Sequence, residues 1–135
     1  MDFGIRDKVA FVSGGSKGMV REAAVMLADE GAKIAIVART QGPIDETVEL
    51  IRSRGGTAMG YSADLTTRAG VRDAVAAVTA EFGAPDIAIS CVMENIAGDF
   101  EDVKDEDFER FFIVYAMSVV YLAREVIPAM KEKGW

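Results

Sequence analysis

Four short apolar runs alternate with longer segments of helical periodicity along this chain. The runs predict strands at Lys8 to Val12, Lys33 to Val37, Thr57 to Tyr61 and Asp86 to Ser90. Between them, apolar residues recur at spacings of three and four, which predicts helices. This alternation implies a parallel sheet with right-handed crossovers. We therefore expect an α/β fold in a single domain over residues 1–135.

Each of the first three predicted helices carries an apolar stripe. The helix over Gly18 to Glu30 has its stripe at Met19, Ala23, Met26 and Leu27. The next, with Pro43 at its first helical position, has its stripe at Ile44, Val48 and Ile51. The third, with Thr66 as its N-cap, has its stripe at Val71, Ala74, Val75, Val78 and Phe82. These stripes predict the buried helix faces.

A last, long helix is predicted from Asp105, as its cap, to about Lys133. Its inward stripe comprises Phe108, Phe111, Phe112, Tyr115, Val119, Leu122, Val126 and Met130. Further apolar residues lie outside that stripe, at Val114, Val120, Tyr121 and Ile127. A helix that is apolar on more than one side is usually buried on more than one side, so we expect a partner surface. Pro128 should bend or loosen the last turns.

Composition and charge argue against several classes of function. A formal net charge of −7 disfavours nucleic acids and anionic membranes as partners, because both attract basic surfaces. The chain has no histidine, so we expect neither a metal site nor Ser-His-Asp catalysis. No apolar run looks long enough to span a bilayer. With a lone cysteine, Cys91, and no signal-like N-terminus, the chain is predicted to be cytoplasmic.

Candidate chemistry concentrates between the first predicted strand and the first predicted helix. The segment from Val9 to Val20 passes from an apolar strand through a glycine-rich turn into a helix. Glycines let the backbone approach a ligand closely, and the N-terminus of a helix favours an anion. Because a second strand follows at the distance of one βαβ unit, the segment predicts a phosphate-binding turn.

Further landmarks accompany this turn, which reads Ser-Gly-Gly-Ser-Lys-Gly-Met-Val over residues 13–20. Arg39 follows the second predicted strand, Ala63-Asp64-Leu65 follows the third, and Asp86 opens the fourth. In these features the chain resembles the N-terminal half of a short-chain dehydrogenase/reductase, a Rossmann-fold oxidoreductase that uses NAD or NADP. Members of that family carry the motif Thr-Gly-x-x-x-Gly-x-Gly after the first strand. The resemblance implies a Rossmann-like three-layer half-fold, with four parallel strands in the order 3-2-1-4 and helices on both faces.

The resemblance also implies a cofactor site. Its candidate residues are Ser13, Gly14, Ser16, Lys17, Gly18, Met19, Arg39, Thr40, Asp64, Leu65, Ser90 and Val92. Gly14 and Gly18 would hold the pyrophosphate, and Asp64 would bond the adenine amino group. Lys17 and Arg39 would favour NADP over NAD, since no acidic residue closes the second strand. Alternatively, either cation is an ordinary solvated surface charge.

Several positions depart from the family pattern. Val20 replaces the last glycine of the turn, and a β-branched side chain in a packed site typically costs ~1 to 3 kcal/mol, which should also weaken cofactor binding. The family's Asn-Asn-Ala-Gly after the fourth strand is Ser-Cys-Val-Met over residues 90–93. Cys91 is interpreted as an inert thiol, because no activating base accompanies it. Tyr115, which replaces a supporting asparagine, is interpreted as core or interface.

The catalytic serine and the Tyr-x-x-x-Lys pair of the family would follow residue 135, and no tyrosine here has a lysine four residues on. We therefore expect no catalytic residue and an inert cofactor-binding half. An alternative is an engineered or truncated, non-enzymatic Rossmann module that has lost cofactor binding and forms an oligomer. The order 3-2-1-4 leaves the fourth strand at an edge, so a homodimer through that strand and the long helix is expected in either case.

Overall fold

A four-stranded parallel sheet in the order β3-β2-β1-β4 forms the centre of the protein. The computed structural model describes residues 2–135. The strands are β1 (Val9–Ser13), β2 (Lys33–Ala38), β3 (Thr57–Ser62) and β4 (Ile87–Ile89). The helices are α1 (Gly18–Asp29), α2 (Gln41–Ser53), α3 (Arg68–Phe82), α4 (Asp105–Phe112) and α5 (Ser118–Lys133), with a π-helical turn at Ile113–Met117. The predicted α/β fold and strand order are confirmed.

The sheet buries a separate apolar core on each of its faces, because side chains alternate between the two sides of a strand. On one face, α1 and α2 cover a core that includes Val12, Ile34 and Ile36. On the other face, α3 and α5 cover a core that includes Phe11 and Val37. Helices therefore lie on both sides of the sheet, as predicted, and β1 and β2 are buried from above and below.

The predicted buried face of α1 is wrong at Met19 and Met26, whereas Leu27 packs against the core as predicted. The buried residues of α1 are Ala24, Val25 and Ala28. Met19 and Met26 are instead 89% and 68% exposed. Small residues let the helix lie close to the sheet, and the flexible methionine side chains remain on its outer surface. The apolar spacing was correct for a helix, but it did not distinguish a packed stripe of small residues from an exposed stripe of large ones.

The predicted stripes of α2 and α3 are confirmed, except that Phe82 is only half-buried, but both helix starts differ from the prediction. Pro43 is the third residue of α2 rather than the first. The N-cap of α3 is Thr67, whose hydroxyl accepts a bond of 3.0 Å from the Gly70 N–H. The neighbouring threonine, Thr66, donates its hydroxyl to Asp64 at 2.7 Å instead. Either of two adjacent threonines can cap a helix. Because Asp64 engages the Thr66 hydroxyl, Thr67 takes the N-cap position of α3.

The predicted inward stripe of the long helix is wrong in its first half. Leu122 and Val126 are buried against the sheet-facing core, but Phe108, Phe112, Tyr115 and Val119 are substantially exposed. The cause is the π-helical turn, where the Ser118 N–H bonds to the carbonyl of Ile113, five residues back. One extra residue in a turn rotates everything before it relative to everything after it. Val114, outside the predicted stripe, is accordingly fully buried.

The N-terminus of α4 is capped by a carboxylate inside its first turn. Lys104, rather than Asp105, occupies the N-cap position, and its N–H donates to the Asp107 carboxylate at 3.1 Å. Asp105, Glu106 and Asp107 all lie in the first turn, where the helix dipole stabilises negative charge. The helix itself therefore explains the three acidic residues of its first turn.

The continuous helical segment Asp105–Lys133 is 29 residues long and apolar enough to cross a membrane. The expectation that no segment reaches that length is wrong on this criterion. The criterion concerns length and composition alone, and a core helix of a soluble protein also satisfies it. Leu122 and Val126 of this segment pack against α3 residues beneath the sheet.

One buried carboxylate joins three elements at the amino end of the sheet. Asp86, whose side chain is 7% exposed, accepts bonds from the Val9 N–H at 2.9 Å and from the Lys133 ammonium at 2.7 Å. Burial alone would raise the pKa of Asp86, but the bonds from Lys133 and Val9 outweigh it and lower the pKa below its ordinary value. The start of β1, the start of β4 and the end of α5 are therefore held together by an ionised group.

We predict that Asp86→Asn lowers the free energy of unfolding at neutral pH by about 1–2 kcal/mol, because it removes a charge-assisted hydrogen bond. Since the folded pKa is lowered, the stabilisation is present above the unfolded pKa and is lost as the pH falls through the folded value. Urea unfolding at pH 7 and at about pH 3 should therefore show the difference shrinking.

The matched control is Asp73→Asn, which removes an exposed carboxylate that pairs with its neighbour Arg72. Exposed ion pairs contribute little, so this variant should differ from the wild type by less than about 1 kcal/mol. An Asp86→Asn difference that stays constant from pH 7 to pH 3 would contradict the assigned role of the ionised carboxylate.

Candidate functional site

A cleft of about 330 Å³ lies beyond the carboxyl ends of all four strands. Each strand contributes the residues that directly follow it. The lining residues are Gly14, Ser16, Lys17, Gly18, Met19, Val20, Ala38, Arg39, Thr40, Ala63, Asp64, Leu65, Cys91, Val92 and Met93. Strand β1 is flanked by β2 on one side and β4 on the other, so the chain runs outwards from β1 to β2 and β3 and then crosses back to β4. Open parallel sheets bind ligands at such a switch point.

Most of the predicted cofactor residues meet in this cleft. Gly14, Ser16, Lys17, Gly18, Met19, Arg39, Thr40, Asp64, Leu65 and Val92 all line it. Ser13 and Ser90 do not, and they lie around a smaller gap behind the cleft, beside Phe11 and Ser118. The structure thus brings together residues from four separate loops, and their binding of a cofactor stays a prediction.

Ser13 joins the ends of two strands. Its hydroxyl, which is buried, donates to the Ile89 carbonyl at 3.0 Å and accepts from the Cys91 N–H at 3.0 Å. Both bonds go to the backbone of β4 and of the loop after it. Ser13 therefore sets the position of the cleft wall formed by Cys91 and Val92, and its own side chain is already engaged.

The two glycines predicted for the turn differ in their surroundings. Gly14 has φ +70°, and a Cβ on it would lie 1.9 Å from the Cys91 carbonyl oxygen. Gly18 has φ +59°, but a Cβ there would meet nothing within 4 Å. A side chain at position 14 would therefore collide with the protein's own backbone, so this position requires glycine. Gly18 instead leaves open space at the first residue of α1.

Helix α1 begins at the cleft, where Gly18 is part of the lining, and no side chain caps its N-terminus among the described residues. Lys17, at the N-cap position, makes no side-chain cap bond, and the first turn contains no acidic residue, within the part of the chain that the structure describes. The first N–H groups of a helix have no partner inside it, so an external acceptor must satisfy them. An anionic ligand is the acceptor that the helix dipole favours.

Val20 is half-buried and packs against the core under α1 and α2. Helix α1 runs without interruption from Gly18 through this position. Val20 also forms part of the cleft lining, although it was not among the candidate cofactor residues. Its predicted effect on cofactor affinity stays a prediction.

Asp64 is an ionised acceptor in the cleft lining. Its Oδ1 accepts bonds from the Thr66 hydroxyl at 2.7 Å and from the Thr66 N–H at 3.0 Å. These two bonds lower the pKa of Asp64 below its ordinary value, and the guanidinium groups of Arg110 and Arg39 lower it further. The carboxylate is therefore fixed by Thr66 and charged at neutral pH.

Two charged residues that the sequence reasoning missed, Glu94 and Arg110, lie beside the predicted site. Arg110 donates from Nε and Nη2 to the two Glu94 carboxylate oxygens at 2.8 and 2.5 Å. Arg39 donates from Nη1 to the same carboxylate at 3.2 Å. The bond from Arg110 is the largest influence on Glu94, and its pKa is lowered. No local pattern could have shown this pairing, because Arg39 and Glu94 are 55 residues apart.

Cys91 and Tyr115 lie near this charge cluster. The Cys91 thiol is free, half-buried and part of the cleft lining. The Tyr115 hydroxyl donates to the backbone carbonyl of Glu94 at 2.5 Å, and its ring packs against Phe111. Tyr115 therefore holds the loop after β4 in addition to facing solvent. Within residues 2–135, no three His, Cys, Asp or Glu side chains are grouped so that they could hold a metal ion.

Comparison with known proteins gives a consistent result. The family model described as short chain dehydrogenase matches residues 8–135. The chain is 32% identical over 134 residues to the uncharacterized oxidoreductase YvrD of Bacillus subtilis, covering 99% of this chain and 50% of that protein. It is also 32% identical to an uncharacterized oxidoreductase of Thermotoga maritima, covering 94% of this chain and 50% of that protein. The chain therefore spans about half the length of these curated relatives.

A solved structure shows the same half-length correspondence. The L-sorbose reductase of Gluconobacter frateurii, solved in complex with NADPH and L-sorbose, superposes with a TM-score of 0.93 at 30% identity. The superposition covers 99% of this chain and 51% of the reductase. Fold and sequence comparisons therefore agree that the chain corresponds to about half of these relatives.

The difference between the two turn glycines leads to a prediction. Gly14→Ala and Gly18→Ala both place a side chain at positive φ, which costs about 1–2 kcal/mol. Only Gly14→Ala also drives a Cβ into the Cys91 carbonyl, so we expect it to lose about 1–3 kcal/mol more in free energy of unfolding. Urea denaturation of both variants measures the difference, with Gly18→Ala as the matched control. Equal losses would show that the loop after β4 moves away freely.

Proposed function

The chain belongs to the short-chain dehydrogenase family, and from that premise we propose that it is the NADP-binding half of a carbonyl or alcohol oxidoreductase. The observation that carries the proposal is the uncapped N-terminus of α1, which opens at Gly18 into the cleft. Helix N–H groups without a side-chain cap, a positive dipole end and nearby cations suit the phosphates of a dinucleotide. The residues present therefore fit the cofactor.

Each part of the cofactor has candidate partners in the cleft. The pyrophosphate would be held by the N–H groups of Gly18 and Met19, and the adenine amino group by Asp64. Arg39 and Lys17 would bind the 2′-phosphate that distinguishes NADP from NAD, because Arg39 follows β2 directly where an acidic residue would favour a free ribose hydroxyl. When bound, the nicotinamide would supply the hydride that the oxidoreductase transfers.

We infer that the 135 residues bind cofactor without turning over substrate. Proton donation in this family relies on a tyrosine with a lysine four residues on. Here Tyr61, Tyr115 and Tyr121 are followed at that distance by leucine, valine and glutamate. Reduction of a carbonyl substrate above background by this chain alone would contradict the inference.

A reducing, cytoplasmic setting is part of the proposal and suits the free thiol of Cys91.

We predict that the wild type binds NADPH more tightly than NADH and that Arg39→Ala weakens NADPH binding by about tenfold, because it removes a charge-assisted bond to the 2′-phosphate. NADH affinity should change by less than about twofold, since its ribose lacks that phosphate. Calorimetric or fluorescence titration with both cofactors measures the two affinities.

Arg72→Ala is the matched control, because this arginine lies on α3 and pairs only with its exposed neighbour Asp73 among the described residues. It should leave both affinities unchanged. Loss of both cofactors to the same degree in Arg39→Ala would contradict a 2′-phosphate role. Absence of NADPH binding in the wild type would favour the alternative, a non-enzymatic Rossmann module that has lost the cofactor.

We also propose a homodimer through β4 and the long helix. Strand β4 is an edge strand that pairs only with β1 within the described sheet. The helix beside it exposes Phe112, Val119 and Ile127. An unpaired strand edge and exposed apolar side chains each favour association with a second copy, because both surfaces are unfavourable in water.

The prediction is that Ile127→Glu shifts the protein from about twice its chain mass of 14.5 kDa to that mass itself. A charge in an apolar interface must be desolvated on association, so the dimer is weakened. Sedimentation or light scattering at micromolar concentration measures the mass. Met26→Glu, on the exposed outer face of α1, is the matched control and should stay dimeric. A monomeric wild type would refute the proposal.

A further inference from the structure

Glu94 lies between two guanidinium groups at one end of the cleft. Arg110 holds both of its carboxylate oxygens, at 2.8 and 2.5 Å, whereas Arg39 makes one longer bond of 3.2 Å. The Glu94 side chain is 21% exposed and that of Arg39 is 58% exposed. Arg110 is therefore the firm partner of Glu94, and Arg39 is the partner that solvent or a ligand can reach.

Glu94 is also fixed through its backbone. Its carbonyl accepts a bond of 2.5 Å from the Tyr115 hydroxyl, which ties the loop after β4 to the π-helical turn. Binding of a ligand to Arg39 can therefore break the single bond between Arg39 and Glu94 without displacing Glu94 itself. The carboxylate would remain beside whatever Arg39 binds next.

The charged groups around Arg39 are equal in number and opposite in sign. Two carboxylates, Asp64 and Glu94, and two guanidinium groups, Arg39 and Arg110, influence one another across this end of the cleft. A 2′-phosphate carries up to two negative charges, and it would enter this cluster next to the Glu94 carboxylate, which repels it and already pairs with Arg39. A cofactor with a free 2′-hydroxyl brings no such charge.

We propose that Glu94 is a specificity-determining residue that competes with the 2′-phosphate of NADP for Arg39. Glu94 lowers the affinity for NADP(H) and leaves the affinity for NAD(H) nearly unchanged, and Arg110 limits the effect by engaging Glu94. The inference rests on the proposed function, since it concerns the same site. It differs from that function in assigning an opposing role to a residue outside the cleft lining.

The test is titration of NADPH and NADH into three variants. Glu94→Gln keeps the side-chain length and an oxygen acceptor but removes the charge. It should tighten NADPH binding by about two- to fivefold, the range expected for a partly exposed ion pair, with NADH within about twofold. Arg110→Gln should weaken NADPH binding, because Glu94 then pairs with Arg39 alone. Combined with Arg39→Ala, Glu94→Gln should have no further effect, as a double-mutant cycle requires for two coupled residues.

Glu106→Gln is the matched control, because it removes an exposed carboxylate from α4 and should change neither affinity. Weaker or unchanged NADPH binding by Glu94→Gln would overturn the inference and leave the proposed function standing. If the wild type and every variant bind neither cofactor, the proposed function fails, and the inference fails with it. Far-UV circular dichroism and thermal unfolding check that each variant is folded. An equal increase in affinity for NADPH and NADH in Glu94→Gln would also count against competition for a 2′-phosphate.

Discussion

The close approach of the turn after β1 to the loop after β4 is the contact on which the rest of the structure depends. Gly14 has no side chain, so its backbone lies against the Cys91 carbonyl, and Ser13 bonds to the same stretch of chain. These contacts complete the pairing of β1 with β4, which makes β1 an inner strand. They also set one wall of the cleft. The same atoms therefore determine both the order of the sheet and the width of the site.

The cleft combines local and long-range features. The uncapped start of α1 is local, because it follows from a glycine-rich turn and a lysine that does not cap the helix. The charge cluster is long-range, since Arg39, Glu94 and Arg110 come from three loops or helices. A backbone site of this kind recognises a phosphate by geometry, whereas the surrounding charges adjust which phosphate is preferred.

Much of the fold could be predicted from the sequence because the buried strands and the stripes of α2 and α3 follow simple periodicities. The cleft could be located because its residues directly follow strands, whose carboxyl ends meet at one edge. The buried face of α1 could not, since small alanines and exposed methionines fit the same spacing. Nor could the pairing of Glu94 with Arg39, which depends on where two distant loops meet in space.

The π-helical turn makes the number of residues between α4 and α5 as important as their identity. Deleting one residue from Ile113–Met117 would restore a regular helix and turn α4 by about 100° relative to α5. Helix α5 would keep its packing on α3, but Arg110 would be carried away from Glu94. An insertion or deletion at this turn can therefore change which charged residues pair beside the cleft, although no side chain that lines the cleft is substituted.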